Sequence, residues 1–371
     1  MINLADRRPR SRADRGRRRG GVSASATSVR RTSVRRTCAL LRVDADATVG
    51  FGHVVRCSAL FAALGANLDM VVAGDDAAAL RASFPAARVH SVNREGFGQI
   101  LRSERPELVV VDLPRHSTGV WREARRFARL VVAVDDQGGA IEADIVISGA
   151  PPSACRPFPA LDGGARALTG PAYALLRPEF AVVRWRSPGP PSVAIVVGSG
   201  ARARDWAFAL AGDALDRSAW GDVAMAVGRG FSQYDRLGEA CARARIRLLN
   251  GLEAGAMAQH LAGAQAALIT GGMVMPETLA VGTPAVVFPQ IESMQPETRW
   301  FAERRAICDL GFDGGMEMGR VRDEVDRLLS DRDAARKQSA CGRELVDGRG
   351  AERAASLISS RLAERLSKQS S

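Results

Sequence analysis

Val49-Gly50-Phe51-Gly52-His53-Val54-Val55-Arg56-Cys57 stands between a short apolar run at 39–43 and a helical pattern that continues through Leu60, Phe61 and Leu64. A glycine-rich turn between a strand and a helix brings backbone N–H groups and a helix N-terminus to bear on an anion. Gly50 and Gly52 allow close backbone approach, and His53 adds a group that titrates near neutrality at the mouth of the turn. The dinucleotide fingerprint asks for a third glycine where this chain has Val55, which argues against a nicotinamide or flavin. Taken alone, the stretch also reads as a helix-capping loop whose histidine only hydrogen-bonds.

The same alternation extends outward. Apolar runs at 39–43, 68–73, 108–112, 130–134 and 145–147 are continuous rather than alternating, as in parallel strands covered on both faces. Helical patterns at 54–65, 76–83, 95–104 and 119–128 fill the gaps, until prolines at 151, 152, 157 and 159 interrupt the rhythm. Residues 184–191, Arg184-Trp185-Arg186-Ser187-Pro188-Gly189-Pro190-Pro191, read as a linker. The pattern then restarts, with strands expected at 192–197, 222–227, 245–249, 266–270 and 284–288 and Gly198-Ser199-Gly200 after the first. A final helix over 350–367 places Ala354, Leu357, Ile358, Leu362 and Leu366 on one side. The fold class expected is α/β, two tandem Rossmann-like domains facing an interdomain cleft where a ligand would bind. The divisions are an extension at 1–37, an N-terminal domain at 38–183, the linker at 184–191, a C-terminal domain at 192–346, and a C-terminal helix and tail at 347–371.

The 371 residues carry a formal net charge of +11, but twelve arginines and two aspartates within 1–37 account for +10 of it. The remaining chain holds +1, so bulk charge gives the folded part no reason to bind nucleic acid. Residues 1–37 include a direct repeat, Ser-Val-Arg-Arg-Thr, at 28–32 and 33–37. They are too poor in apolar residues to offset the entropy of ordering, and read as a disordered extension or a basic arm. They lack the roughly 7–15-residue apolar core of a secretory signal. Cys38, Cys57, Cys155, Cys241, Cys308 and Cys341 are scattered with no C-x-x-C pair, which argues against a zinc site or disulfide framework and for a reduced, cytoplasmic setting. No apolar run approaches the ~18 residues of a membrane span.

Four patterns converge. The first is Arg42-Val43-Asp44 with the glycine turn through Cys57, and the second is Val134-Asp135-Asp136. The third is Thr169-Gly170-Pro171-Ala172-Tyr173-Ala174-Leu175-Leu176-Arg177-Pro178-Glu179-Phe180. The fourth is Thr270-Gly271-Gly272, then Pro276-Glu277-Thr278-Leu279-Ala280-Val281-Gly282-Thr283-Pro284, with Gln295 downstream. In order and spacing these resemble the UDP-sugar hydrolases of pseudaminic acid biosynthesis, over residues 39–345. That family acts on UDP-2,4-diacetamido-2,4,6-trideoxy-β-L-altropyranose. The resemblance implies a GT-B fold, with UDP mainly on the C-terminal domain and the sugar facing the N-terminal domain. It also implies inverting hydrolysis at the anomeric carbon without metal or cofactor, with His53 at the position of the family's catalytic histidine.

The chemistry of the residues is compatible with this. Neutral imidazole is a suitable general base for water near pH 7. A leaving UDP needs charge stabilisation, which the helix start after Thr270, Gly271 and Gly272 would supply, since Pro276 suits a first turn. Glu277 would accept from ribose hydroxyls, or merely complement the helix dipole. Asn250 and Leu252 match the region whose backbone holds uracil, or form an ordinary turn. Arg56 shares a helix face with His53 and would contact diphosphate, orient the turn or pair with Asp44. Tyr173 and Arg177 would reach the sugar, or with Phe180 pack an interdomain corner, and Gln295 would contact a sugar or phosphate. Asp135 and Asp136 would cap a helix or line the cleft. His90, His116 and His260 are expected at the surface or in caps.

The chain departs from the family in the cleft. Met273, Val274 and Met275 replace small hydroxyl residues, Met294-Gln295 replaces Asn-Gln, Gly198-Ser199-Gly200-Ala201 replaces Gly-Gly-Ser-Asp, and Asp112-Leu113-Pro114 replaces Asp-His-Tyr. The sugar is therefore left open. A GT-B glycosyltransferase and a non-catalytic UDP-sugar binder remain as alternatives, and no oligomeric state is expected from the sequence.

Overall fold

The computed structural model describes residues 36–44, 51–92, 96–113, 118–158, 165–186, 189–198, 201–212, 215–229, 231–312 and 317–368. Gly50, His116, Ser199, Gly200 and all but the last two residues of the arginine-rich extension lie outside them. Seven strands form the first sheet: β1 Thr37–Val43, β2 Leu68–Gly74, β3 Arg88–Ser91, β4 Leu108–Asp112, β5 Leu130–Val134, β6 Ile145–Ser148 and β7 Arg166–Thr169. Six form the second: β8 Ser192–Val197, β9 Asp222–Val227, β10 Ile246–Asn250, β11 Ala266–Ile269, β12 Ala285–Val287 and β13 Cys308–Asp309. Every pairing is parallel, in the orders β3-β2-β1-β4-β5-β6-β7 and β10-β9-β8-β11-β12-β13.

The helices of the first half are α1 Gly52–Leu64, α2 Ala77–Ser83, α3 Phe97–Glu104 and α4 Thr118–Arg125. A short α5, Glu179–Val182, lies in the crossover. The second half carries α6 Ala201–Ala211, α7 Tyr234–Arg243, α8 Ala254–Ala262, α9 Val274–Val281, α10 Gln295–Glu303, α11 Met318–Ser330, α12 Arg332–Leu345 and α13 Gly350–Ser367.

The central strands are unbroken apolar runs because both faces are covered. Alternate residues feed two cores: Leu41, Val110, Val132 and Ile147 face α1 and α13, whereas Leu40, Val109, Val131 and Val146 face α3 and α4. The expected strands are all present. The structure adds β3, β7 and β13, of which β3 and β7 are the first sheet's edges and β13 an edge of the second. Arg88-Val89-His90-Ser91 and Arg166-Ala167-Leu168-Thr169 are largely exposed, and so carry no continuous apolar signature.

Helix α13 closes the first half. Ala354, Ala355, Ile358 and Leu362 pack into the same core as Val54, Cys57 and Phe61 of α1. Arg365 holds Asp144 at 2.8 Å and Arg353 donates to the Ala172 carbonyl at 2.9 Å. Leu366, expected on the apolar face, is 37% exposed near the helix end. Ile358→Ala should cost about 2–5 kcal/mol, read by denaturant titration, because the sheet and α1 cannot collapse into the space it vacates.

In each sheet the chain order reverses beside the first strand: β1 lies between β2 and β4, and β8 between β9 and β11. The carboxyl ends at such a reversal splay their loops apart and open a crevice. The turn carrying His53 follows β1, Asp112 ends β4, and Thr270-Gly271-Gly272 follows β11, so both crevices are furnished with the residues singled out above.

Candidate functional site

His53 occupies the first turn of α1, just after Phe51 at the N-cap. Its Nδ1 lies 2.6 Å from Oδ1 of Asp112, which is 0% exposed. Burial alone would push the Asp112 carboxyl up, but the Arg56 charge and the hydrogen bonds from Arg56 and His53 hold it well below the usual carboxylate range. An ionised carboxylate only accepts, so Nδ1 is the nitrogen that donates to it, which in the neutral ring places the lone pair on Nε2.

Arg56, one turn further, donates Nε to Asp112 Oδ2 and Nη2 to Oδ1, each at 2.6 Å. Its Nη1 donates to Asp136 Oδ2. Asp136 also accepts from Ser148 Oγ and the Gly149 N–H, both at 3.1 Å. Burial opposes the charge on Arg56, but Asp112 and Asp136 hold its pKa well above the ordinary value. The alternative pairing of Arg56 with Asp44 is not formed: Asp44 is taken by Arg42, two residues away on the same strand end. Asp135 caps a turn rather than a helix, accepting from the Gln137 and Gly138 N–H groups at 2.9 and 2.7 Å.

Across from this cluster, Gly271 and Gly272 adopt left-handed φ of +78° and +66°, which a side chain would strain. They swing the chain from β11 into α9, whose first turn holds Pro276 and Glu277. Met294 packs over both glycines, and a Cβ placed on Gly52 would lie 3.3 Å from Met273 Cγ. The N-terminal glycine turn and the C-terminal one therefore meet through a methionine. Glu277 is 5% exposed and accepts from Arg177 Nη2 at 3.0 Å. Burial pushes it up to about 7 against the pull of Arg177. Arg177 in turn lies over the Phe180 ring, 5.3 Å from its centroid.

The remaining expected residues sit differently. Thr270 is buried at the end of β11. Gln295 is committed within its own half, donating to Asp309 Oδ2 at 2.6 Å and Thr298 Oγ1 at 3.2 Å and accepting from the Phe312 N–H. Asn250 is exposed at the end of the edge strand β10, and Leu252 is half-buried after it. Tyr173 ends the 3₁₀ turn Pro171–Tyr173 and packs against the α1–α13 core. His90 pairs with Glu104 at 2.9 Å, and His260 is half-buried rather than at the surface, with Nε2 unpartnered and its pKa lowered by burial.

Two members of the cluster were given no role from the sequence, Asp112 being named there only as the retained acid of a strand-end pattern. Asp112 is the acid at the end of the strand beside β1, a position that the strand order marks. Glu297, half-buried on α10, is pushed up to about 8 by burial and then by the charge of Asp136, with Arg56 opposing. It brings a C-terminal carboxyl toward the N-terminal cluster, and only its place two residues past Gln295 hinted at it. Among the described residues, no group of three or more His, Cys, Asp or Glu has the geometry to hold a metal ion. No helix among them is long and apolar enough to cross a membrane.

No protein-family model matches the chain. It is similar to the spore coat polysaccharide biosynthesis protein SpsG of Bacillus subtilis, with 28% identity over 102 residues. That match covers 28% of this chain and only 30% of the length of SpsG. Among solved structures, a putative UDP-N-acetylglucosamine 2-epimerase from Listeria monocytogenes superposes with a TM-score of 0.60 at 12% identity, covering 88% of this chain and 97% of that one. MnaA from S. aureus, in a co-structure with UDP, gives 0.60 at 11% identity, covering 85% and 94%. MurG of Acinetobacter baumannii gives 0.58 at 14% identity, covering 86% and 99%. At these identities the likeness is one of fold, and the expected pair of Rossmann-like halves in the GT-B arrangement is borne out.

Proposed function

We propose that the chain is a nucleotide-sugar enzyme that hydrolyses a UDP-linked sugar at its anomeric carbon, releasing UDP and free sugar. The observation that carries this reading is the His53–Asp112 pair at 2.6 Å, held at the crevice of the first sheet and opposite the glycine turn of the second. Asp112 keeps the proton on Nδ1, so Nε2 takes a proton from water as the water oxygen bonds to the anomeric carbon. The bond from that carbon to the phosphate oxygen breaks with inversion, and UDP leaves with the electron pair. The N-terminal domain takes the sugar and the C-terminal domain the UDP. The start of α9, after Gly271 and Gly272, faces the diphosphate with backbone N–H groups and a partial positive charge. Glu277 accepts from the ribose hydroxyls and Arg177 holds Glu277 in place.

The substrate class, a deoxy-diacetamido sugar used for a surface glycan such as a pseudaminic-acid-like nonulosonate, is supported by the four sequence patterns and by the similarity to a spore coat polysaccharide biosynthesis protein. A transferase reading has one observation in its favour. Phe51 is 39% exposed beside His53, an apolar surface on which an acceptor would rest while His53 deprotonates its hydroxyl.

UDP release from a panel of UDP-amino-sugars, with the full chain and with His53→Ala, tests the proposal. Release in buffer alone that falls about 10²–10⁴-fold on substitution is expected for hydrolysis. Release only after an acceptor is added would replace hydrolysis by transfer. UDP binding without release under either condition would overturn both and leave a binding protein.

A further inference from the structure

Asp112 has four lone-pair positions, and all four are taken. Oδ1 receives His53 Nδ1 and Arg56 Nη2, and Oδ2 receives Arg56 Nε, each at 2.6 Å. The fourth donor is Cys57 Sγ, 3.3 Å from Oδ2. Cys57 lies four residues past His53, on the same face of α1, and is 0% exposed among Val54, Leu60 and Ile358. Packing alone explains a small apolar residue there, but not the thiol aimed at a buried carboxylate. Burial, followed by the charge of Asp112, raises the Cys57 pKa well above its ordinary value, so sulfur keeps its proton and acts as the donor.

We propose that Cys57 is a positioning residue that sets the basicity of His53 through Asp112, an inference that rests on the reading of His53 as general base. A carboxylate shares its acceptor strength among its donors. Removing the S–H leaves Asp112 a stronger partner for Nδ1–H and stabilises the imidazolium. A serine hydroxyl, a stronger donor than a thiol, does the reverse. The other charged groups around His53 are unchanged by either substitution: Arg56 at 3.1 Å from Nδ1, then Asp136 and Glu297 grouped around Arg56.

The test is an NMR titration of the histidine side chains in the full chain, with His53→Gln assigning the His53 signal. Cys57→Ala and Cys57→Val should raise the His53 midpoint by roughly 0.3–0.7 pH unit, and Cys57→Ser should lower it by a similar amount. Valine fills the space without the donor, so agreement between alanine and valine separates the lost hydrogen bond from the lost volume. A midpoint unmoved in all three folded variants, or moved the same way by serine and alanine, overturns the inference. The readout needs no substrate. If the midpoints move as expected while His53→Ala leaves UDP release intact, the tuning stands and the hydrolytic role of His53 falls.

Discussion

Asp112→Asn is expected to slow UDP release roughly 10³–10⁴-fold and to lower stability by about 3–5 kcal/mol. The kinetic loss follows from what an amide offers. Its oxygen still accepts, but its NH₂ donates, so Arg56, which bonds both oxygens, faces a donor in either orientation, and His53 does too when the nitrogen takes the Oδ1 place. If the amide turns its nitrogen to His53, the imidazole answers with its unprotonated nitrogen and the proton moves to Nε2. The base is then blocked at the atom that should take the proton from water. The energetic loss follows from Arg56, whose side chain is largely buried and which, among the described residues, keeps only Asp136 as a hydrogen-bonded carboxylate partner. Removing one member of a buried ion pair leaves an undercompensated charge, and that costs more than the pair contributed. Asp136→Asn is the control, because it leaves the His53–Asp112 contact in place and should slow release far less. Initial rates and a denaturant titration on the same preparations separate the two effects. An Asp112→Asn variant that remains folded and releases UDP at the parent rate would remove Asp112 from the mechanism.

The candidate site was legible in the sequence where its signal is local and illegible where it is topological. Gly52 and His53 stand in one turn, and Gly271, Gly272 and Glu277 in another, so a short window contains each. Asp112 joins His53 across 59 positions of sequence, and only the placement of β4 beside β1 brings them together. The nearest acid in sequence, Asp44, offered itself for Arg56, but Arg42 on the same strand takes it. Gln295 shows the opposite limit: the motif points to a ligand contact, while the side chain braces the start of α10 to Asp309 and Phe312. The fold followed the same division. Central strands announce themselves because both faces are buried, whereas β3 and β7 are edges whose side chains meet solvent. Parallel edge strands are held by backbone hydrogen bonds to one neighbour, and those leave no mark on composition.

Stability should fall as pH rises from about 4.5 to about 7, and Glu277→Gln should remove about half of that slope, Glu297 supplying the rest. The carboxyl has an ordinary value of 4.5 and is pushed up to about 7 because burial outweighs the pull of Arg177. Between those values the unfolded chain has lost the proton and the folded chain still holds it. Folding is therefore favoured at the acid end and penalised by on the order of 2–3 kcal/mol at the alkaline end. Glu297, pushed up to about 8, adds a slope of the same sign that continues past the Glu277 window. Asp112 has the opposite sign and acts below its ordinary value of 3.8, so it leaves this window untouched. Denaturant titrations at several pH values on the parent chain and Glu277→Gln measure the difference. An unchanged slope would show that Glu277 ionises in the folded state as it does in the unfolded one. The same proton reports on function. If ribose hydroxyls donate to Glu277, they favour its ionised form, so UDP binding near pH 7 should release part of a proton. Calorimetry in buffers of different ionisation enthalpy would detect it, and Glu277→Gln should abolish it. Proton release that persists in the variant would assign the linkage to another group, with Glu297 the next to substitute.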